Sequence, residues 1–198
     1  MKLIKHNNFI YEYQNFVDDE ICDSFIELIE HEKNSIISNN KSSSKNKVRN
    51  NIAFNITDLS NEYNFVKIVD MEASKLISKS ITNYYDDNTL VNKYSDLFSS
   101  KDKDYSMKLI YRFYDENDYY NWHVDSTKNG NFVLSVIIYL NDDFDGGATL
   151  FLNDKIKVKP KKGSVLIFPC DMRTIHKGTK VTSGTKKIIW TCLEEKIC

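Results

Sequence analysis

Apolar positions follow two different rhythms along this chain, and the change comes near its middle. In the first half, Ile21, Phe25, Leu28 and Ile29 recur at helical spacing behind Asp18, a residue type that caps helix N-termini. That pattern predicts a helix closing near His31, where an imidazole sits well beside the negative end of the helix dipole. Phe65, Val66, Ile68, Val69, Leu76, Ile77 and Ile81 form a wide apolar stripe and predict a second helix over 62–85. Ahead of both, residues 2–16 mix aromatic and β-branched residues and suit an outer strand. Residues 34–51 are polar, rich in Ser, Asn and Lys, and aperiodic, which predicts a flexible loop.

After about Lys103 the period shortens. Runs at 107–114, 132–140, 148–152, 155–158, 164–168 and 186–193 are rich in β-branched and aromatic residues. Gly, Asn, Asp and Pro turn signals separate them. Many short strands behind a helical first half predict an α+β fold: a jelly roll, or double-stranded β-helix of cupin-like form, buttressed by N-terminal helices. No linker or repeat divides the chain. The expectation is one domain over 1–198, with 1–104 as helical support and 105–198 as the jelly-roll core.

Composition narrows the class without naming it. Lys plus Arg number 27 against 28 Asp plus Glu in 198 residues, a net charge of -1, so no global basic surface argues for nucleic acid. The lysines of 155–162 suit a solvated strand edge protected from pairing. Four cysteines (Cys22, Cys170, Cys192, Cys198) show no CxxC spacing, which fits a reducing compartment. The N-terminus lacks an apolar signal core and no run of 18 apolar residues occurs. The expectation is a soluble cytoplasmic protein without a membrane partner; the sequence does not indicate an oligomeric state.

The candidate chemistry is His123-Val-Asp125, with His176 53 positions after the first histidine. On an extended segment, residues i and i+2 project to one side, so His123 and Asp125 can face a single metal ion. Two imidazoles and one carboxylate can take one face of iron(II) and leave the other open. A His-x-Asp triplet also arises by chance, and by itself it carries little weight.

Its surroundings carry more. The segments YDENDYYNWHVD (114–125), SVIIYLNDDFDGGATLF (135–151), KPKKGSVLIFP (159–169) and IHKGTKVTSGTKKIIW (175–190) resemble the 2-oxoglutarate- and iron(II)-dependent dioxygenases. The likeness is to their prolyl 4-hydroxylase-like branch, and the opening IYEYQNFVDDEICDSFIELIE resembles that family's lead-in strand and helix. The resemblance implies Fe(II) held by His123, Asp125 and His176, with 2-oxoglutarate as co-substrate, O2 as oxidant and ascorbate as an auxiliary reductant. It implies that Lys186, ten residues after His176, grips the distal carboxylate of 2-oxoglutarate. Tyr114, Tyr139 and Thr149 match positions that line or hydrogen-bond the co-substrate, and Trp190 and Tyr120 match the substrate side. Read without the resemblance, Lys186 is equally an exposed member of an alternating strand, and the tyrosines and Trp190 are equally core aromatics.

The implied reaction is hydroxylation of a C–H bond, a peptidyl proline first, coupled to decarboxylation of 2-oxoglutarate to succinate and CO2. Lysyl, small-molecule and nucleic-acid substrates remain open, since loops set the substrate on such scaffolds. A non-catalytic metal- or ligand-binding jelly roll is the competing class. Lys186 separates the two, because a simple binding module needs no dicarboxylate anchor. The chain also departs from the family pattern. Asn117 stands where glycine is common, a residue that tolerates the left-handed region. Lys177-Gly178 and Lys180 stand after the distal histidine, where acidic, valine and proline residues are usual.

Overall fold

The computed structural model describes residues 1–39, 42–43, 48–93, 105–126, 132–152 and 155–195. Among these, the strands form a large and a small antiparallel sheet facing one another, with a two-stranded ribbon at one end. The large sheet has nine strands. Its path runs Lys2–Lys5, Tyr11–Gln14, Val165–Pro169, Phe132–Tyr139, Lys186–Glu195, Ile110–Tyr114, Ile52–Asn55 and Ser42–Ser43, with Tyr105–Met107 paired to the far part of Lys186–Glu195. The small sheet runs Lys157–Val158, Thr149–Phe151, His176–Gly178, Tyr119–His123 and Arg49–Asn50.

Period-two alternation assigns the two faces of the large sheet. Val136 and Ile138 belong to a core shared with the helices, through Phe25 and Ile29 of Asp19–Ser38 and Val66, Val69 and Ile77 of Asn64–Asp87. Their neighbours Ile137 and Tyr139 join a second core between the sheets, with Phe151 and Val158 of the small sheet. Val165 and Ile167 alternate with Leu166 and Phe168 in the same way. Both faces are therefore apolar, and each fully buried side chain of this size contributes roughly 1.5–3 kcal/mol. A one-residue slip in register would exchange the two cores, so the register is strongly specified. This is the jelly-roll architecture with helical buttress that the two rhythms predict.

The first half differs from the expectation in four ways. The helix Asp19–Ser38 runs seven residues past His31, because Ile36 is fully buried and a Glu30–Lys33 ion pair supports the turn between. His31 is not a terminal residue; its ring meets Phe65 of the second helix edge-on at 4.7 Å. Of the expected loop 34–51, residues 34–38 are helical, Ser42–Ser43 pair with Ala53 and Phe54, and Arg49–Asn50 pair with Tyr119 and Tyr120. Residues 40–41 and 44–47 of that loop lie outside the described residues, as does Cys198. The N-terminal half is also more than helical support, since Lys2–Lys5, Tyr11–Gln14 and Ile52–Asn55 extend the large sheet. Ile68, placed on the apolar stripe, faces solvent. No described helix is long and apolar enough to cross a membrane.

Candidate active site

The two histidines are brought together by strand pairing. His123 ends one strand of the small sheet, His176 begins its neighbour, and the two are register partners. From that rung to the next, Gly178 opposite Tyr120, one strand advances two residues and the other three. The extra residue is a bulge, a device that re-aims side chains beside sites. Asp125 lies two residues past the strand end, in a bend, so the strand alternation expected for the pair reaches only as far as His123.

Backbone carbonyls fix both rings. His123 Nδ1 lies 2.6 Å from the Asn121 carbonyl and His176 Nδ1 3.0 Å from the Thr174 carbonyl. A carbonyl only accepts, so each Nδ1 is the donor and each Nε2 is left to face the partners. His123 Nε2 stands 3.3 Å from Asp125 Oδ1, and His176 Nε2 stands 3.7 Å from Oδ2. The candidate ligand atoms of the three residues all lie within 4.8 Å of one another.

The electrostatics suit a cation. Asp125 Oδ2 is buried and has no hydrogen-bond partner, an arrangement that is costly unless something positive fills the gap. Burial alone would raise the Asp125 pKa, but attraction to His176 and hydrogen bonding from His123 outweigh it and bring it to about 2. Burial pushes His176 below the ordinary histidine range, against the pull of Asp125. A carboxylate held ionised beside the His176 imidazole held neutral suits a divalent ion. Cys170 and Cys192 lie near Asp125 with their sulfurs 3.3 Å apart, but burial raises both thiol pKa values and keeps them from offering thiolates. The residues present therefore fit a metal of the imidazole- and carboxylate-binding kind, such as iron(II).

One wall of the same cavity carries Lys186, placed on the large sheet opposite Tyr114. Its side chain is buried, not solvated as a simple alternation would have it. Nζ donates to the Gly147 carbonyl at 2.6 Å and sits 5.4 Å from the ring centres of Tyr114 and Tyr139. No carboxylate pairs with it among the described residues, and burial lowers its pKa to about 7. Gly147 gives this carbonyl from a left-handed backbone, φ +60, in the turn where two glycines predict such geometry. Asn117 likewise takes φ 71, so asparagine serves the turn before the first histidine.

The other expected residues are also placed around the cavity. Tyr114, Thr149, Tyr120 and Trp190 line it. Tyr139 stands behind, its hydroxyl 2.8 Å from Thr149 Oγ1. Burial pushes the Tyr114 phenol up to about 12, so it remains a donor. Tyr120 stacks on the His123 ring at 3.6 Å. Trp190, half-buried, donates from Nε1 to Ser135 Oγ at 2.9 Å, and Ser135 in turn helps to hold the Asp125 carboxylate down. Ser135 and the inward-facing Arg112, another lining residue, do not announce themselves in the sequence. Each is a single polar position inside an apolar run.

Residues 109–193 match the sequence model of the 2OG-Fe(II) oxygenase superfamily. A "Putative prolyl 4-hydroxylase" of Acanthamoeba polyphaga mimivirus is 38% identical over 92 residues, covering 36% of this chain and 38% of that protein. The 2-oxoglutarate and iron-dependent oxygenase domain-containing protein 3 of Rattus norvegicus is 32% identical over 84 residues, covering 38% of this chain and 27% of its own. The chain thus spans well under half the length of these curated relatives. Among solved structures, the viral collagen prolyl hydroxylase of Paramecium Bursaria Chlorella virus-1, as its 2OG complex, aligns with a TM-score of 0.62 at 20% identity, over 95% of this chain and 97% of that one. A prolyl hydroxylase of Trichoplax adhaerens, in complex with a hypoxia inducible factor peptide fragment, aligns with a TM-score of 0.69 at 15% identity, over 96% and 84%. These likenesses show the fold, the double-stranded β-helix. Over 109–193 the chain is thus similar to the 2OG-Fe(II) oxygenase superfamily, and the mimivirus relative it matches carries a prolyl 4-hydroxylase name.

Proposed function

We propose that this protein is an Fe(II)- and 2-oxoglutarate-dependent dioxygenase that hydroxylates a C–H bond of a peptide, with prolyl residues first among its targets. The observation that carries the reading is one cavity holding two chemistries. A His123–Asp125–His176 cluster has an orphaned carboxylate oxygen, and a buried Lys186 has no carboxylate partner among the described residues. A metal answers the first and a dicarboxylic acid the second. A non-catalytic jelly roll needs only one of them.

In this reading His123, Asp125 and His176 hold the iron, which supplies the oxidative chemistry when bound. Lys186 receives the distal carboxylate of 2-oxoglutarate as a point charge, and the Tyr114 hydroxyl hydrogen-bonds the same end. The Tyr139–Thr149 pair stiffens the wall beside them. Ile137 and Ile188 line the cavity with apolar surface and exclude water, which strengthens both ion contacts. Trp190 and Tyr120 frame the side from which substrate arrives. Their hydrogen bond and ring stack fix that frame to Ser135 and His123. O2 is the second co-substrate, and ascorbate is the auxiliary reductant the resemblance implies.

The test is succinate formation from 2-oxoglutarate by purified protein with Fe(II), with and without O2, across an array of proline-, lysine- and neutral-centred peptides. Expected is O2-dependent succinate release, stimulated by a subset of proline peptides and lost in His123→Ala. Silence of the wild-type protein across the array, with iron bound, would overturn the enzyme reading. Stimulation by lysine peptides alone would overturn the prolyl assignment and leave the dioxygenase.

A further inference from the structure

Arg112 is a second buried cation in this cavity, and the proposed chemistry leaves it without a role. It sits on the strand Ile110–Tyr114, opposite Ile188, with its inner-face neighbours Tyr114 and Lys186 forming the next inward rung. Its residue is 5% exposed. Nη1 is buried and has no hydrogen-bond partner, and no carboxylate lies within ion-pair distance among the described residues. The guanidinium instead lies over aromatic faces, 4.9 Å from the Trp190 ring and 5.8 Å from the Tyr120 ring. Cation–π contacts offset only part of the cost of withdrawing a guanidinium from water. An unfilled donor on a permanent cation, aimed into a cavity, calls for an oxyanion.

Position says which oxyanion. Lys186 and Trp190 are four residues apart on one strand, on the same face, so the cavity wall extends about 13 Å between them. Arg112 leans towards Trp190 and Tyr120, and Tyr120 stacks directly on His123. The cation therefore lies at the half-exposed Trp190 end of the wall, over the Tyr120 ring that stacks on His123, and its charge also reaches the Tyr114 phenol. Charge points the same way. With iron and 2-oxoglutarate bound, the ion and Lys186 balance Asp125 and the dicarboxylate, and Arg112 remains uncompensated.

Building on the dioxygenase reading, we propose that Arg112 is a specificity residue that receives the carboxylate of an acidic side chain next to the hydroxylated residue. The protein then selects acidic peptide segments. A planar guanidinium held over Trp190 is suited to two-point contact with a carboxylate, which lysine cannot reproduce.

The test uses fluorescent peptides with a central proline flanked by Glu, by phosphoserine or by the isostere Gln. Binding is measured by anisotropy to the metal-free protein and to the Mn(II)-loaded protein with 2-oxoglutarate. A charge-assisted hydrogen bond of the ordinary kind predicts Glu over Gln by at least about tenfold in the wild type. In Arg112→Met, which keeps the stem on Trp190, the ratio falls to about one while 2-oxoglutarate affinity stays the same. Arg112→Lys gives an intermediate ratio and carries the comparison if Arg112→Met melts below the assay temperature. A wild-type ratio near one overturns the proposal, as does a Glu preference that survives in Arg112→Met. Preference for phosphoserine with indifference to Glu reassigns the anion and overturns the carboxylate. Loss of 2-oxoglutarate affinity in Arg112→Met gives the cation to the co-substrate and equally overturns it. The dioxygenase reading fails separately, by absence of any 2-oxoglutarate binding, and the ratio in metal-free protein then still decides Arg112.

Discussion

Lys186 donates from Nζ to the carbonyl of Gly147 at 2.6 Å and meets no carboxylate among the described residues. Burial lowers its pKa from 10.5 to about 7, so the lysine is half-discharged at neutral pH. Binding a dicarboxylate restores the charge, and above pH 7 that requires uptake of a proton. The affinity for 2-oxoglutarate should be flat below pH 7 and fall by up to about tenfold per pH unit above it. Titration calorimetry of the Mn(II)-loaded protein from pH 6 to 9 reads this slope, and Lys186→Met should lose both the slope and most of the affinity. An unchanged slope in the variant would show that the proton goes elsewhere. The same shift acts on stability. Between 7 and 10.5 the folded state holds fewer protons than the unfolded chain, so ligand-free stability rises with pH across that window. Lys186→Met removes the burial cost and should melt higher at pH 7, by about 2–4 °C for each kcal/mol regained.

The orphaned Asp125 Oδ2 makes a prediction about metal alone. A divalent ion present at about 100 times its Kd stabilises the folded state by roughly 2.7 kcal/mol, a rise of about 5–10 °C in Tm for a chain of this size. Thermal melts with Mn(II), reversed by a chelator, measure it without any turnover. Asp125→Ala and His176→Ala should each abolish the shift. A shift that persists in Asp125→Ala would move the metal to another cluster.

Much of this arrangement was legible because two-sided burial writes itself into strands. Val165–Pro169 reads as an unbroken apolar run and Phe132–Tyr139 as one broken only by Ser135, since one face meets the helices and the other the small sheet. His123, Asp125, His176 and Lys186 were legible as types at a spacing, and the small sheet brings the histidines into one register pair. The strand Tyr119–His123 was not, because its half-exposed residues YYNWH neither alternate nor run apolar. Arg112 was hidden for the opposite reason. Alternation in IYRFY marks it as the polar, outward member, yet the helices occupy the outer face and the arginine must point inward. The helix beyond His31 was lost because its only deeply buried residue there, Ile36, stands among polar neighbours.

Tyr139 and Thr149 form a buried hydroxyl pair at 2.8 Å between the sheets. Thr149→Val keeps the shape and strands the phenol without a partner, at a cost of about 1–3 kcal/mol. Tyr139→Phe strands only the threonine hydroxyl. The double variant has nothing left to satisfy and should recover part of the loss, giving a favourable coupling in a double-mutant cycle of urea melts. Additive losses would mean that each hydroxyl finds another partner.

Gly147 holds its carbonyl under Lys186 only by staying in the left-handed region, φ +60, with no Cβ. A methyl there would stand 2.8 Å from Phe144 Cε2 and 3.1 Å from Lys186 Cδ. Gly147→Ala therefore carries a conformational cost of about 1–2 kcal/mol and also pushes the lysine stem off its acceptor. Gly184 offers the control: it has φ +75, and an added Cβ there would crowd Phe144 and the Asp143 carbonyl, with Lys186 not among its three nearest contacts. Both alanine variants should lose stability in denaturant melts by comparable amounts. Only Gly147→Ala should also weaken 2-oxoglutarate binding, because only there does the new methyl act on the cation as well as on the fold. Equal losses of affinity in the two variants would mean that binding follows global stability, and that the carbonyl of Gly147 does not position Lys186.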